Sequence, residues 1–142
     1  MYGTLDISTS GMIAQRTRLE VIAANIANKD AILDSTGRVN PYRRRQVHFA
    51  AGDPTARTAA GRSMGVHVAE IQVNQDAVRL KRDPGNPLAY KSGPNAGYVP
   101  IPDIDPVTEQ INAMEALRAY EANVMAAEST KTMMAQALRL LA

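Results

Sequence analysis

Apolar residues in the first thirty positions follow the spacing of an amphipathic helix. They recur every seventh position, with one more in between, at Leu5, Met12, Leu19, Ile22 and Ile26. This spacing places them along one face of an α-helix, as in the seam of a coiled coil. The pattern predicts a helix over roughly residues 5–29, with these five residues as its packing residues.

A second and longer amphipathic segment covers about residues 106–141. It contains neither Gly nor Pro after Pro106, which suits a first helical turn because its missing N–H would be unpaired there anyway. Its apolar residues fall into neighbouring heptad columns. The packing residues predicted among them are Ile111, Met114, Leu117, Tyr120, Val124, Met134 and Leu138. Because each terminal helix has one apolar face, the two are predicted to pack as an antiparallel, coiled-coil-like pair.

The middle of the chain lacks a helical period. Short stretches ending at residue 49 and covering 65–74 and 78–82 indicate strands. The alternation slips between residues 68 and 71, which a bulge or an unevenly buried strand would allow. Residues 51–63 are rich in Gly, Ala, Thr and Arg and indicate a loop. Pro and Gly recur after residue 83, which disfavours helix and favours an extended connection.

These patterns predict a mainly α fold with a small β insert. Four segments follow in order: an N-terminal helix with its following loop (1–39), a β-rich insert (40–82), an extended Pro/Gly-rich linker (83–105) and a C-terminal helix (106–142).

Composition argues against catalysis. The chain has no Cys and no Trp, and aromatic residues make up 4% of it, which disfavours thiolate metal sites and a deep small-molecule pocket. His48 and His67 lie on separate predicted strands without a neighbouring carboxylate pattern, and no Gly-rich phosphate loop occurs. We therefore expect no enzyme activity, no catalytic or metal site, no cofactor and no small-molecule substrate.

Charge is unevenly distributed, although the net charge is only +2. Residues 41–82 carry eight basic and three acidic side chains (net +5), and residues 83–128 carry two basic and seven acidic ones (net −5). The basic block contains Arg43, Arg44 and Arg45. These arginines could contact acidic groups of an adjacent subunit, with Asp103, Asp105 and Glu109 of this same protein as candidates. The alternative is a module that binds nucleic acid or an acidic partner, although no recognition helix or aromatic stacking stretch accompanies the arginines.

Two short motifs, one in each predicted terminal helix, resemble a known family. The segment Ala-Ala-Asn-Ile-Ala-Asn at 23–28 resembles the Ala-Asn-Asn-Leu-Ala-Asn signature of flagellar axial proteins. The segment at 115–123 resembles their Glu-x-x-Arg-x-Tyr-x-Ala-Asn signature. The motif residues are Asn25, Asn28, Glu115, Arg118, Tyr120 and Asn123. Segments 41–49, 83–87 and 97–104 narrow the resemblance to the FlgC family of proximal-rod proteins.

The resemblance implies a structural subunit that polymerises through its terminal helices into the hollow rod between the membrane ring and the hook. The implied partners are other copies of the chain, other rod proteins, the membrane-ring protein of the basal body and the flagellar type III export apparatus, and not nucleic acid. The implied location is the rod in the periplasmic space, reached by export without a cleaved signal peptide. In such an assembly the Asn amides and Tyr120 could join neighbouring subunits, or they could serve their own helices and the pairing of the two.

Overall fold

The computed structural model describes residues 2–141. The elements in chain order are α1 (Tyr2–Ala27), β1 (Arg45–Ala51), α2 (Ala59–Met64), β2 (Val66–Val73), β3 (Val78–Arg82), β4 (Tyr98–Pro102) and α3 (Pro106–Leu141). The strands form two separate two-stranded sheets, β1 with β2 and β3 with β4. The prediction of helical ends around a small β insert is confirmed, and both strand pairs are antiparallel.

Helices α1 and α3 pack against each other in opposite directions. Gly11 of α1 lies against Asn123 of α3, Arg18 contacts Glu115, and Asn25 contacts Glu109. Residue numbers that increase along α1 therefore meet residue numbers that decrease along α3. Helix α1 begins at Tyr2, nine positions before Gly11. In an antiparallel pair, the position of α3 opposite this start lies nine positions after Asn123, at residue 132. Residues 133–141 of α3 therefore extend past α1, by about 14 Å at the helical rise of 1.5 Å per residue.

The face of α3 turned towards α1 is made mainly of small and polar residues. Alongside α1, a column of covered positions alternates spacings of four and three, at Glu109, Ala113, Ala116, Tyr120, Asn123, Ala127 and Thr130; Asn112, Ala119 and Val124 beside it are half-buried. This heptad spacing keeps the face on one side of a long helix. Small side chains along it let the two helix backbones approach closely.

Strands β1 and β2 pair antiparallel and lie over α1. Their register runs from Arg45 opposite Val73 to His48 opposite Glu70, then resumes at Phe49 opposite Val68. The skipped residue is Ala69, so the sheet has an irregularity inside the interval where the alternation of side chains slips. A shift of register at this point agrees with the first of the two explanations, a bulge.

A short helix occupies part of the segment predicted to be a loop. Thr58 caps α2 by accepting a hydrogen bond from the N–H of Gly61, and Asp6 of α1 accepts hydrogen bonds from both the N–H and the hydroxyl of Thr58. The loop prediction for 51–63 is therefore wrong over Ala59–Met64. The stabilising carboxylate comes from a residue 52 positions away, which local sequence patterns do not reveal.

The predicted extended linker 83–105 is not confirmed as a single element, because its second half forms β4. The strand pairs with β3, from Val78 opposite Pro102 to Arg82 opposite Tyr98. Proline is tolerated here because a two-stranded sheet leaves one edge of each strand without a backbone partner. Within residues 2–141, neither long helix carries an apolar stretch sufficient to cross a bilayer.

Candidate assembly interface

Asn25 forms a buried junction between α1, the start of β1 and α3. Its Nδ2 donates to the carbonyl oxygen of Arg45 at 2.9 Å and to Oε2 of Glu109 at 3.0 Å. Its Oδ1 accepts from the N–H of Arg45 at 3.0 Å and from the hydroxyl of Tyr42 at 3.1 Å. The amide thus uses both donor hydrogens and both lone pairs, which a buried Asn requires. Its role is to hold the β1–β2 sheet onto the helix pair.

Glu109 completes this junction from α3. It is 1% exposed, and its Oε1 accepts from Nε of Arg44 at 2.7 Å. A buried carboxylate is stable only when charge and hydrogen bonds compensate its lost hydration. Arg44 supplies the compensating charge and Asn25 the second hydrogen bond. The same surroundings act on Tyr42, where burial raises the pKa, Arg45 lowers it and Glu109 raises it further.

The three consecutive arginines all have partners within the chain. Arg44 pairs with Glu109, the guanidinium of Arg45 lies 5.5 Å from the centre of the Tyr42 ring, and Arg43 donates to the Gln75 side chain. For Arg44 this corrects the expectation of a partner on another subunit, because its carboxylate partner belongs to the same chain. A contact of Arg43 and Arg45 with a neighbour stays a prediction.

The other two acidic candidates for such a contact are also engaged within the chain. Asp103 accepts from Arg79, with an ion pair of 2.6 Å. Asp105 caps α3 by accepting from the N–H groups of Val107 and Thr108 and from the Thr108 hydroxyl. These hydrogen bonds, led by that of the Thr108 side chain, lower the pKa of Asp105.

Asn123 of α3 lies directly against Gly11 of α1. A Cβ atom added to Gly11 would lie 2.8 Å from Oδ1 of Asn123, far inside normal contact. The Asn123 amide itself donates to the carbonyl of Ala119 one turn earlier, at 2.8 Å. A side chain at position 11 of α1 would therefore require the Asn123 amide to shift, which favours glycine there despite its low helix propensity.

The remaining motif residues divide between the helix contact and the surface. Glu115 forms an exposed 3.1 Å ion pair with Arg18 of α1, and Tyr120 is half-buried on the face of α3 that is turned towards α1. Asn28 donates from Nδ2 to the carbonyl of Ala24 at 2.8 Å, which closes the end of its own helix. Arg118 is exposed on the outer side of α3.

The predicted packing residues of α1 all contribute to its covered side. Ile22 is buried, and the others are half-buried: Leu5, Met12, Leu19 and Ile26. On α3, Tyr120, Val124 and Met134 are half-buried as well.

Four predicted packing residues of α3 do not pack within the subunit. Their exposed fractions are 51% for Ile111, 53% for Met114, 47% for Leu117 and 67% for Leu138. The predicted seam is corrected on this point, because the small and polar heptad column faces α1 and turns the large apolar columns outwards. Leu138 also lies beyond the start of α1. The role of these four residues in assembly stays a prediction.

The outer side of α3 thus displays a run of large apolar side chains. Besides Ile111, Met114 and Leu117, it includes Val107 at 62% and Met125 at 69% exposure. Apolar side chains exposed to this degree leave this side of α3 open to contact with another surface. The sequence pattern singled out Ile111, Met114 and Leu117 for helix packing or assembly but did not point to Met125. The signal that distinguishes the two sides is the column of Ala, Asn and Thr.

Small-molecule chemistry finds little support in the geometry. Within residues 2–141 no group of three or more His, Asp or Glu side chains is arranged to hold a metal ion. A surface groove of about 380 Å³ lies between α1, β1 and α3, lined by Ile22, Arg44, Phe49 and Asn112 among others. Its charged residues Arg44 and Glu109 neutralise each other, so the groove offers no unpaired charge from this pair to a ligand.

Comparisons with known proteins agree with the two motifs. The family model described as flagella basal body rod protein matches residues 5–30, which cover most of α1. The model described as flagellar basal body rod FlgEFG protein C-terminal matches residues 95–140, which contain β4 and nearly all of α3.

Relatives that align over nearly the whole chain identify which family of rod proteins it resembles. The flagellar basal-body rod protein FlgC of Salmonella typhimurium is 40% identical over 140 residues, and that of Escherichia coli O157:H7 is 40% identical over 141 residues. The FlgC protein of Borreliella burgdorferi is 34% identical over 150 residues. Each alignment covers 99% of this chain and 97% of the relative. The chain therefore belongs to the FlgC family of flagellar basal-body rod proteins.

Proposed function

We propose that the chain is a structural subunit of the proximal rod, and that it polymerises through its terminal helices into the hollow shaft between the membrane ring and the hook. The observation that carries this proposal is the outer face of α3, which exposes Val107, Ile111, Met114 and Met125. Covering such a face with another surface removes apolar area from water, which is favourable and drives association. The role is structural and not enzymatic, as for the family.

Assembly completes the burial that one subunit cannot achieve alone. We propose that α1 and α3 form a coiled-coil-like pair, and that Ile111, Met114, Leu117 and Leu138 pack between subunits. Other copies of the chain and other rod proteins are the natural partners of this surface. The membrane-ring protein of the basal body and the flagellar type III export apparatus are further proposed partners.

The proposed location is the rod within the periplasmic space, reached without removal of an N-terminal signal. Sequencing the N-terminus of the chain recovered from basal bodies tests the second point. The alternative of a nucleic-acid-binding module is not supported, because Arg44 is paired with Glu109 and Arg45 lies over Tyr42.

Complementation tests the proposed function. A tagged copy of the chain, expressed in a host that lacks its own FlgC, is expected to restore swimming and to copurify with basal bodies. A matched copy carrying Leu117→Asp should accumulate as a folded protein and restore neither. A tagged chain that folds, is produced at normal levels and stays absent from basal bodies would contradict the proposal.

A further inference from the structure

The exposed side of α1 forms one narrow heptad stripe. Beyond Thr4, every exposed residue of α1 lies at a spacing of four or three from the next, at Thr9, Ile13, Arg16, Glu20, Ala23 and Ala27. The stripe begins with a large apolar residue, carries a basic and an acidic residue at its centre, and ends with two small residues. We call Ile13, Arg16, Glu20, Ala23 and Ala27 the α1 outer stripe.

The exposed side of α3 contains a stripe with the same spacing. Its members are Ile111, Met114, Arg118, Glu121 and Met125, all exposed. Here the large apolar residues lie at both ends, and the basic residue precedes the acidic one. We call these five residues the α3 outer stripe.

Set antiparallel, the two stripes match at every position. Ala27 falls opposite Ile111, Ala23 opposite Met114, and Ile13 opposite Met125, so that at the first two positions a large side chain meets a small one. At the centre, Glu20 falls opposite Arg118 and Arg16 opposite Glu121. The paired numbers sum to 138, 137, 138, 137 and 138, which is the alternation that two antiparallel heptads produce.

We propose that the α1 outer stripe of one subunit packs antiparallel on the α3 outer stripe of a second copy, in this register. The inference rests on the proposed function, since it presupposes self-assembly, and it adds the two faces and their alignment. Within one subunit the two stripes cannot meet, because each helix already turns its covered side towards the other helix.

Charge specifies both the direction and the register. Arg16 and Glu20 are 68% and 66% exposed and lie 3.5 Å apart on one helix. Among the ion pairs formed within residues 2–141, none involves Arg118 or Glu121. In the antiparallel arrangement, the four charged side chains of the two stripes form one group in which basic and acidic residues alternate. A parallel neighbour centred on the same residues would place Arg16 against Arg118 and Glu20 against Glu121, which repels.

The contact is heterologous, since it joins two different faces. Each copy keeps one stripe free after using the other, so the same contact repeats from copy to copy. A repeated heterologous contact produces a ring or a helical array, according to whether its rotation closes. Both outcomes suit a tubular structure.

Charge exchange between the stripes tests the register without altering the net charge. Two half-swaps are made: Arg16→Glu with Glu20→Arg on α1, and Arg118→Glu with Glu121→Arg on α3. Each keeps the composition of its helix and leaves all substituted residues at the exposed surface of the subunit. Circular dichroism and thermal unfolding verify that each variant folds as the unsubstituted chain does.

We expect each half-swap to lose incorporation into basal bodies, and the full swap of all four residues to recover it. The full swap restores opposite charges at both positions, whereas each half-swap places like charges together. Half-swaps that assemble as well as the unsubstituted chain would overturn the proposal. So would a folded full swap that fails to recover assembly.

Disulfide trapping identifies the occupant of the α3 outer stripe. The chain has no Cys, so single substitutions report one contact each. Differently tagged copies carrying Ala23→Cys and Met114→Cys are coexpressed, and oxidation of their basal bodies should link them to each other. In the matched control, Met125→Cys replaces Met114→Cys. This moves the thiol by 11 residues, or about 16 Å along the helix, whereas a disulfide needs Cα atoms within about 7 Å.

A heterodisulfide in the first combination and its loss in the second supports a second copy in the stated register. Equal linkage in both combinations, or linkage of Met114→Cys to a different basal-body protein instead, would overturn it. The unsubstituted tagged chain is followed in parallel. Its absence from basal bodies would contradict the proposed function, whereas its presence alongside failed exchange or failed trapping contradicts only the register.

Discussion

Asn25 and Glu109 lie 84 positions apart in the chain, yet Nδ2 of Asn25 donates a 3.0 Å hydrogen bond to Oε2 of Glu109 in the buried contact between the two terminal helices. The same two side chains also bind Arg45, the first residue of β1, and Arg44, which directly precedes it. One polar junction therefore joins both ends of the chain to its β region. In the subunit, the Asn25 of the family motif is a structural residue of the fold.

The charge of Glu109 is expected to stabilise the subunit through Arg44. Replacing Glu109 by Gln keeps the shape of the side chain but leaves the largely covered guanidinium without its counter-charge. We expect the free energy of unfolding to fall by about 1–3 kcal/mol, measured by urea denaturation. The matched control is Glu115→Gln, which breaks the exposed pair with Arg18 and should cost about 0–1 kcal/mol. Equal losses in the two variants would contradict the role given to the buried junction.

Asn25 and Asn28 belong to the same motif but should differ in their contribution to stability. Asn25→Ala leaves the N–H and C=O of Arg45 without their side-chain partners, at about 1–3 kcal/mol for each buried group left unpaired. Asn28→Ala removes one hydrogen bond at a helix end and should cost about 1 kcal/mol or less. Hydrogen exchange at the Arg45 amide should accelerate in the first variant only. Similar stability and exchange in both variants would show that the motif acts elsewhere.

The close approach at Gly11 predicts an unusual response to alanine. On an exposed helix, Gly→Ala stabilises by about 1 kcal/mol, but here the new Cβ would collide with the Asn123 amide. We expect Gly11→Ala to lower the melting temperature, and Asn123→Ala in the same chain to relieve much of that loss, since the colliding atoms belong to the amide. Thermal unfolding of the two single variants and the double variant gives the coupling. Additive effects would contradict direct contact between these positions.

A charge introduced at Leu117 is expected to block assembly without affecting the folding of the subunit. Because its side chain is 47% exposed, Leu117→Asp should change the stability of the isolated subunit by no more than about 0.5 kcal/mol. In the assembly the added carboxylate would be buried against apolar surface, so incorporation should be lost while secretion continues. Fractionation of cells into secreted protein and basal bodies measures both. Ser92→Asp adds the same charge in an exposed loop and should assemble normally. Normal motility of Leu117→Asp would contradict an interface at this face.

The cap of α3 makes a small part of the stability depend on pH. Hydrogen bonds from Thr108 and Val107 lower the pKa of Asp105 in the folded chain below its ordinary value of 3.8. A depressed folded pKa stabilises the fold above the unfolded pKa, and this contribution disappears as pH falls through the lower folded value. Asp105→Asn keeps a capping side chain but cannot titrate. The stability difference between wild type and variant should therefore shrink below about pH 4. A difference that stays constant from neutral to acidic pH would contradict the assignment.

The sequence predicts the elements well where the pattern is local. The heptad of Leu5, Met12 and Leu19 indicates α1, and the absence of Gly and Pro after Pro106 indicates the full length of α3. The boundaries of α3 match the predicted 106–141, whereas α1 begins and ends two to three residues earlier than the predicted 5–29.

Long-range contacts explain what the sequence did not reveal. The partner of Arg44 is Glu109 of the same chain, and charge counting over blocks does not distinguish this from a partner on another subunit. The face of α3 that meets α1 carries small and polar residues, such as Asn123 against Gly11, and not the columns with the larger apolar residues. Helix α2 depends on Asp6, which lies in a different element.

The most direct test of the account is a side-chain-resolution cryo-EM reconstruction of basal bodies from cells in which this chain is the only protein of its family. The account predicts the chain in the rod, with α1 and α3 packed antiparallel, Asn25 bound to Glu109, and the outer face of α3 at Ile111, Met114 and Met125 covered by a neighbouring subunit. A rod that lacks the chain, or one in which these three side chains face solvent, would contradict the claim that the terminal helices assemble the rod.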